Sequence, residues 1–152
     1  VVSEKTVERI RLQGSDTGVR FREIAEYLES EQVPIKEVNV AETGSDGEQS
    51  KASFVISSQN IYGWQQIKND LVDKIGPEIA FDSDLAALSL IGEGLNRNNL
   101  FLLEALKLLA DRKIPVLGIT TTSFRISLLL PRDHIKKGVQ LCHDHWLADT
   151  AI

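Results

Sequence analysis

The sequence predicts an α+β fold that consists of two tandem βαββαβ modules. The main observation is an internal repeat, because segments 32–40 (QVPIKEVNV) and 113–121 (KIPVLGITT) both pass from a helix end through a proline into an extended run. Their prolines, Pro34 and Pro115, lie 81 residues apart, and proline suits the first residue of a strand. Hydrophobic residues make up 42% and charged residues 26% of the chain, which is typical of a globular protein.

The first module is predicted to span residues 1–83 and to contain four strands and two helices. Apolar residues alternate where a half-buried strand is predicted, and they recur at i, i+3, i+4 and i+7 where a helix is predicted. The strand positions are Ile10 and Leu12, Val38 and Val40, Ala52 to Ile56, and Ile79 and Phe81; the helix positions are Phe21 to Leu28 and Trp64 to Ile75. The turn-rich segment 42–50 (ETGSDGEQS) is predicted to join two strands as a loose hairpin.

The second module, residues 84–152, repeats this order with a closing strand that is short or missing. The predicted strands are 86–90, 116–121 and 124–130, and the predicted helices are 99–112 and a segment with the buried stripe Ile135, Val139, Cys142 and Trp146. Split βαβ pairs of this kind form a ferredoxin-like antiparallel sheet with both helices on one face.

Helix 99–112 is apolar nearly all round, with leucines on several faces. It is either an ordinary core helix or, as we expect, a helix packed between modules or between chains. Small modules bury too little surface alone, which predicts at least a dimer.

Charge and composition argue against several classes of function. The net charge is −5 and no cluster of Lys and Arg appears along the chain, so neither a phosphate-binding surface nor a nucleic-acid partner is expected. No apolar run is long enough to predict a membrane span. The single cysteine fits a reducing compartment, which predicts a cytoplasmic protein.

Neither a cofactor nor a metal is expected. Segment 92–94 (GEG) follows a strand and precedes a helix, but the third glycine of a dinucleotide loop is missing. In segment 142–146 (CHDHW), His143 and His145 diverge on a helix and Cys142 belongs to a buried stripe, which argues against zinc. No Ser/His/Asp or Cys/His set stands out, so no catalytic residue is predicted.

Asp16 is a candidate ligand-binding residue because it lies in the loop GSDTG, directly before the first helix. The N-terminus of a helix presents free N–H groups and a partial positive charge, which suit the carboxylate of a ligand. Asp16 would then meet the ammonium group of that ligand. The alternative is that Ser15 or Asp16 only caps the helix.

Two segments resemble a known family. Residues 119–130 (ITTTSFRISLLL) resemble the signature ISTSEIKISVLV in the second ACT domain of aspartate kinases, and residues 89–118 fit the preceding region without gaps. Residues 10–40 are similar to the first ACT domain of that family. The resemblance spans nearly the whole chain and implies two tandem ferredoxin-like ACT modules.

The resemblance implies regulation rather than catalysis. Paired ACT domains of aspartate kinases bind lysine or threonine at an interface between modules, which shifts the catalytic domain towards a less active state. For this chain the resemblance implies an amino-acid effector, a homodimer through ACT modules, and an upstream kinase domain that phosphorylates aspartate with ATP. The chain begins at Val1 and contains no Met, so we expect it to be a piece of such a protein.

The resemblance also implies where the effector binds, between the loop before the first helix and the start of the following strand. In the first module these positions are Ser15, Asp16, Thr17, Gly18, Pro34, Ile35, Lys36 and Glu37. The equivalent rim of the second module consists of Asn98, Asn99, Pro115, Val116, Thr120, Thr121 and Thr122.

Two alternative functions remain open. The chain departs from the family pattern at Pro34, Lys36, Val40 and Leu100, which favours an ACT-type oligomerisation module that has lost effector binding. The other alternative is a free-standing regulatory subunit of a different amino-acid biosynthetic enzyme, such as acetolactate synthase.

Overall fold

The strands and helices follow one another in the predicted order, except that the strand predicted at Ile79 and Phe81 and the strand predicted at 86–90 form one continuous strand, Ile79–Ile91. The computed structural model describes residues 1–43 and 49–147, and the predicted hairpin loop therefore lies largely outside the described residues. The elements are β1 (Val2–Gly14), α1 (Thr17–Ser30), β2 (Lys36–Thr43), β3 (Gln49–Ser57), α2 (Trp64–Ile75), β4 (Ile79–Ile91), α3 (Leu100–Asp111), β5 (Gly118–Thr122), β6 (Arg125–Pro131) and α4 (Ile135–Trp146), with a 3-10 turn at Arg132–His134. None of the described helices has the length and apolar composition of a membrane span.

The chain divides into two compact units. The first unit comprises residues 7–83, and the second unit comprises residues 1–6 together with 84–152. One boundary follows residue 83, and residues 1–6, the N-terminal part of the 13-residue strand β1, group with the second unit. Since β1 lies beside β4, these residues take the place of the closing strand that the sequence leaves short or missing.

In the first unit the strands are arranged in the order β2-β3-β1-β4, and the pairs β1–β3 and β2–β3 are antiparallel. Ile10 pairs with Phe54 and Leu12 pairs with Ala52, so one sheet face carries the apolar residues that the alternation predicts. These residues form a buried core with apolar side chains of both helices, among them Ile24, Leu28, Ile67 and Leu71.

A buried ion pair interrupts this apolar face. Glu8 on β1 is 4% exposed, and its carboxylate accepts hydrogen bonds from the Lys68 ammonium at 2.9 Å and from the Trp64 indole N–H. The Lys68 ammonium also lies 5.4 Å from the centre of the Phe81 ring, within the range of a cation–π contact. The pair fixes α2 to β1, because a carboxylate at this depth requires both donors.

The second unit contains a separate core. Its strands follow the order β1-β4-β6-β5, and Ile126, Leu128 and Leu130 of β6 lie in the core, as the alternation predicts. Phe124 is predicted to begin this strand but lies in the turn between β5 and β6, where 59% of it is exposed. Helix α4 closely approaches the sheet at Gly138, since a Cβ there would lie 3.0 Å from Leu130 Cδ1.

Helix α3 contributes to this core with only part of its apolar surface. Ala105 and Leu109 are fully buried, whereas Leu100 and Leu103 are 54% and 61% exposed. The expected packing of α3 against another module or chain stays a prediction.

Both units are α+β, with their helices on one sheet face, and the predicted fold class is confirmed.

The Glu8–Lys68 pair gives a first test of the fold. We expect Lys68→Met to lower the free energy of unfolding by about 3 kcal/mol, because it leaves a buried carboxylate without its cation. Adding Glu8→Gln should recover most of this loss, since the amide oxygen still accepts from the indole of Trp64. Urea denaturation followed by circular dichroism measures both effects. Equal stabilities of the single and double variants would contradict the pairing.

Cys142 gives a second test, because burial raises the pKa of its thiol to about 11, against a smaller lowering by the N-terminal ammonium. Below pH 9 the thiol is protonated in both states, so its contribution to stability is fully present. Between about pH 9 and 11 only the unfolded state loses this proton, so stability must fall as the pH rises. The pKa of Tyr27 is raised to about 12 by partial burial and by its hydrogen bond to Asp70, so its titration also lowers stability as the pH rises.

The variant Cys142→Ala isolates the contribution of the thiol. Its unfolding free energy should decrease less steeply across this pH range than that of the unchanged protein. The thiol should also react with a disulfide reagent only after unfolding. Rapid reaction in the folded protein at pH 8 would show that Cys142 is accessible.

Candidate functional site

The loop between β1 and α1 places Asp16 at the N-terminus of α1. Asp16 adopts a left-handed conformation with φ of 58°, and its backbone carbonyl accepts a hydrogen bond from the Arg20 N–H at 3.1 Å. Its side chain does not cap the helix. The exposed carboxylate forms no hydrogen bond or ion pair with the other residues in 1–43 and 49–147.

The capping role that the sequence suggested for Ser15 or Asp16 belongs to Ser50 of β3. The buried Ser50 Oγ accepts from the Thr17 N–H at 3.3 Å and from the Thr17 hydroxyl at 2.5 Å, and it donates to the Gly14 carbonyl at 3.0 Å. Thr17, although predicted to bind an effector, is only 1% exposed and serves this network. The network holds the loop on the sheet, which leaves Ser15, Asp16 and Gly18 exposed.

An ion pair lies beside the same loop. Arg20 of α1 contacts the carboxylate of Glu78, which precedes β4. A Cβ at Gly14 would lie 3.0 Å from that carboxylate, and Gly14 has φ of 141°. The backbone conformation therefore favours glycine here, and a larger residue would also have to displace the Glu78 carboxylate.

The other half of the predicted first-module site lies at the opposite end of the sheet. Gly14 pairs with Ser50, whereas Lys36 pairs with Val55 at the start of β2. Five residues along β3 separate these two levels, which corresponds to about 17 Å. Pro34 is exposed, while Ile35, Lys36 and Glu37 are partly buried, and Glu37 has φ of 54° in an irregular stretch of β2. The first unit alone does not bring the two halves together.

The second unit shows a similar separation. Asn98 and Asn99 precede α3 and are exposed, and the Asn98 side chain accepts the Leu100 N–H at 2.9 Å, which caps the helix. Thr122 lies at the same end of the sheet, because Asn96 donates hydrogen bonds to the carbonyls of Thr122 and Arg125.

Thr121 adjoins Thr122 and is exposed, and Thr120 is partly buried. Pro115 and Val116 lie at the far end of β5, because Gly118 pairs with Leu129 whereas Thr122 pairs with Arg125. The predicted rim is therefore divided into two groups. Asn98, Asn99 and the threonines at the end of β5 form one group, and Pro115 and Val116, which precede β5, form the other.

Ser50 and Asn96 are the residues of these loops that the sequence did not reveal. Ser50 follows a turn-rich segment and carries no motif, and its contact with Thr17 spans 33 residues. Asn96 lies in a run of polar residues, LNRNN, in which only the fold distinguishes it from its neighbours. Among the described residues, no cluster of three or more His, Cys, Asp or Glu is arranged to hold a metal ion.

The comparisons with known proteins give structural matches only. No protein-family model and no curated protein sequence matches the chain. The regulatory subunit of aspartate kinase from Thermus thermophilus, in a ligand-free form, is 16% identical, with 95% of each chain covered and a TM-score of 0.77. Aspartate kinase from Clostridium acetobutylicum is 15% identical over 94% of this chain, with a TM-score of 0.76.

A third similar structure is E. coli aspartokinase III in complex with lysine and aspartate, in the T-state. It is 13% identical over 93% of this chain, with a TM-score of 0.65. The chain spans about a third of the length of the Clostridium acetobutylicum and E. coli chains, 33% and 32%, and 95% of the Thermus thermophilus subunit. At these identities the likeness establishes the fold, and it confirms the tandem ferredoxin-like architecture that the resemblance implied.

The Ser50 network predicts a specific effect of mutation. Ser50→Ala should lower the free energy of unfolding by about 2 kcal/mol, because the Thr17 N–H and the Gly14 carbonyl lose a buried partner. Amide hydrogen exchange at Thr17 should become faster in the same variant. Ser30→Ala is the control, since the Ser30 hydroxyl bonds an exposed carbonyl of Tyr27. If both variants were equally stable, Ser50 would not hold the loop.

Proposed function

We propose that this chain is the regulatory, amino-acid-sensing region of an aspartate kinase. The observation that carries the proposal is the tandem fold, which matches the Thermus thermophilus regulatory subunit over 95% of both chains. The short similarity of residues 119–130 (ITTTSFRISLLL) to the signature ISTSEIKISVLV agrees with it. In this proposal the chain is non-catalytic and cytoplasmic, and an upstream kinase domain phosphorylates aspartate.

Asp16 supports an amino-acid effector. Its carboxylate, which has no partner among the described residues, lies at the N-terminus of α1, so a ligand there meets a negative side chain and a partial positive charge. An α-amino acid carries the complementary groups, an ammonium and a carboxylate. One similar kinase structure holds lysine together with aspartate. The effectors that we propose are lysine, which that structure suggests, and threonine, which the family resemblance implies.

The separation of the two predicted halves supports a homodimer. A free amino acid is far shorter than the distance of about 17 Å between the levels of Gly14 and Lys36. One effector can contact Ser15, Asp16 and Gly18 together with Pro34 to Glu37 only if the two sets come from different copies of the module. Two copies of this chain supply them, and binding then favours one arrangement of the dimer.

Exposed apolar side chains provide a surface for such a dimer. Leu100 and Leu103 on α3 are more than half exposed, and Ile119 on the edge strand β5 is 48% exposed. An edge strand with unpaired backbone groups readily pairs with a second copy. In the proposed dimer, the second copy covers the exposed apolar side chains of α3.

A second candidate function is dimerisation without an effector. It is favoured by the second unit, in which Asn98 is already used to cap α3 and Leu100 stands exposed beside it. In the first unit Lys36 occupies a predicted effector position, where it places a positive charge. In this candidate, the chain holds two copies of the parent enzyme together and leaves activity independent of amino acids.

Calorimetric titration with lysine and with threonine distinguishes the two candidates. We expect one of them to bind, and we expect Asp16→Asn to weaken that binding at least about tenfold, because a charge-assisted hydrogen bond is lost. Asp73→Asn is the matched control, since Asp73 is an exposed acid on α2. Sedimentation with and without the amino acid reports on the dimer. If a dimeric chain bound neither lysine nor threonine, the proposed sensing would be refuted and the assembly function would remain.

A further inference from the structure

A groove of the second unit lies between the first residues of β1 and the first half of α4, and its volume is about 330 Å³. One wall follows β1, where side chains two residues apart point to the same sheet face. The other wall follows α4, where positions i, i+1, i+4 and i+5 lie on one side of the helix. The described residues that line the groove are Ser3, Lys5, Ile135, Lys136, Val139 and Gln140.

Each wall of this groove carries one lysine. Lys5 on β1 and Lys136 on α4 are both exposed, and neither forms an ion pair or a hydrogen bond with any other residue in 1–43 and 49–147. Both therefore carry a positive charge that no described carboxylate contacts. This pair of charges is not apparent along the sequence, because the two lysines lie near opposite ends of the chain.

The acidic residues nearest to these lysines in sequence lie outside the groove. Glu4 is the neighbour of Lys5, but the alternation of a strand turns its side chain to the opposite sheet face. Asp133 lies in the 3-10 turn before α4, and Asp144, one turn beyond the groove, accepts a hydrogen bond from the side chain of Gln140 at 2.7 Å. None of the three acids belongs to the described residues that line the groove.

The second helix of the first unit, α2, uses its lysine differently. Lys68 is mostly buried, and its ammonium lies 2.9 Å from the carboxylate of Glu8. A lysine that fastens a helix to its sheet thus comes with an acid, because a buried ammonium requires a partner. Lys5 and Lys136 have no such partner among the described residues, and both are exposed at a groove.

We infer that this groove binds a small organic anion, whose charged group lies between Lys5 and Lys136. Two uncontacted ammonium groups in a chain of net charge −5 select a negatively charged ligand, such as a carboxylate or a phosphate ester. Ile135, which is 5% exposed, and the half-buried Val139 provide an apolar surface for the rest of the ligand. The Ser3 hydroxyl offers a further hydrogen bond.

Two-dimensional NMR of the labelled chain, titrated with butyrate and with butyl phosphate at constant ionic strength, tests this site. Saturable shifts are expected at the backbone amides of Ser3, Lys5, Lys136 and Val139, and the ligand that binds more tightly identifies the preferred charged group. Lys5→Gln and Lys136→Gln should each weaken binding about tenfold, because a charge-assisted hydrogen bond is lost. Both variants should keep the fold, which circular dichroism checks, because both positions are exposed.

Lys137→Gln is the matched control, because it removes the same charge from the next residue of α4, which is exposed and does not line the groove. Its affinity for both acids should stay unchanged. An equal loss of affinity in Lys137→Gln would show that only the general charge of the chain matters, and it would overturn the proposal. The absence of saturable shifts with either acid, or shifts that sodium chloride alone reproduces, would overturn it as well.

The inference is independent of the proposed function, because none of the groove residues belongs to the loop of Asp16 or to the predicted rim of the second module. Asp16→Asn should weaken the binding of lysine or threonine and leave the binding of butyrate and butyl phosphate unchanged. If Asp16→Asn changed the affinity for these acids, they would bind at the effector loop, and a separate anion site would be refuted.

Discussion

The register between β1 and β3 is the constraint on which the rest of the first unit depends. With Ile10 opposite Phe54, every second residue of β1 enters the core. A shift by one residue would turn Arg9 and Arg11 into that core and expose Ile10. The same register places Gly14 beside Ser50, which holds the loop of Asp16. A change of this register would therefore disrupt the core, the loop of Asp16 and the sheet face of Arg9 and Arg11 at the same time.

Periodicity predicted most of the secondary structure, because a half-buried strand or helix must repeat its apolar residues at the spacing of its own geometry. Isolated polar contacts have no such signature. The Glu8–Lys68 pair joins residues 60 positions apart, and the cap by Ser50 comes from a different strand. The placement of residues 1–6 in the second unit likewise depends on strand pairing across the whole chain.

The candidate site was predicted as one list of residues, and the fold divides that list into two groups. A strand, a helix and a second parallel strand form a crossover, so the loop after the first strand and the start of the second lie at opposite ends of the sheet. This topology explains why Asp16 and Lys36 are far apart in the first unit. The residues could be named from the sequence, but their separation follows only from the connection between strands.

The two tryptophans are divided equally between the two units. Trp64 lies in the first unit, where its indole donates to Glu8, and Trp146 lies in the second, where its indole donates to Glu104 at 3.2 Å. Each unit therefore carries one intrinsic fluorophore whose emission responds to its own surroundings. Replacing either tryptophan with phenylalanine makes the remaining signal a reporter of one unit, so the melting of the two halves can be observed separately.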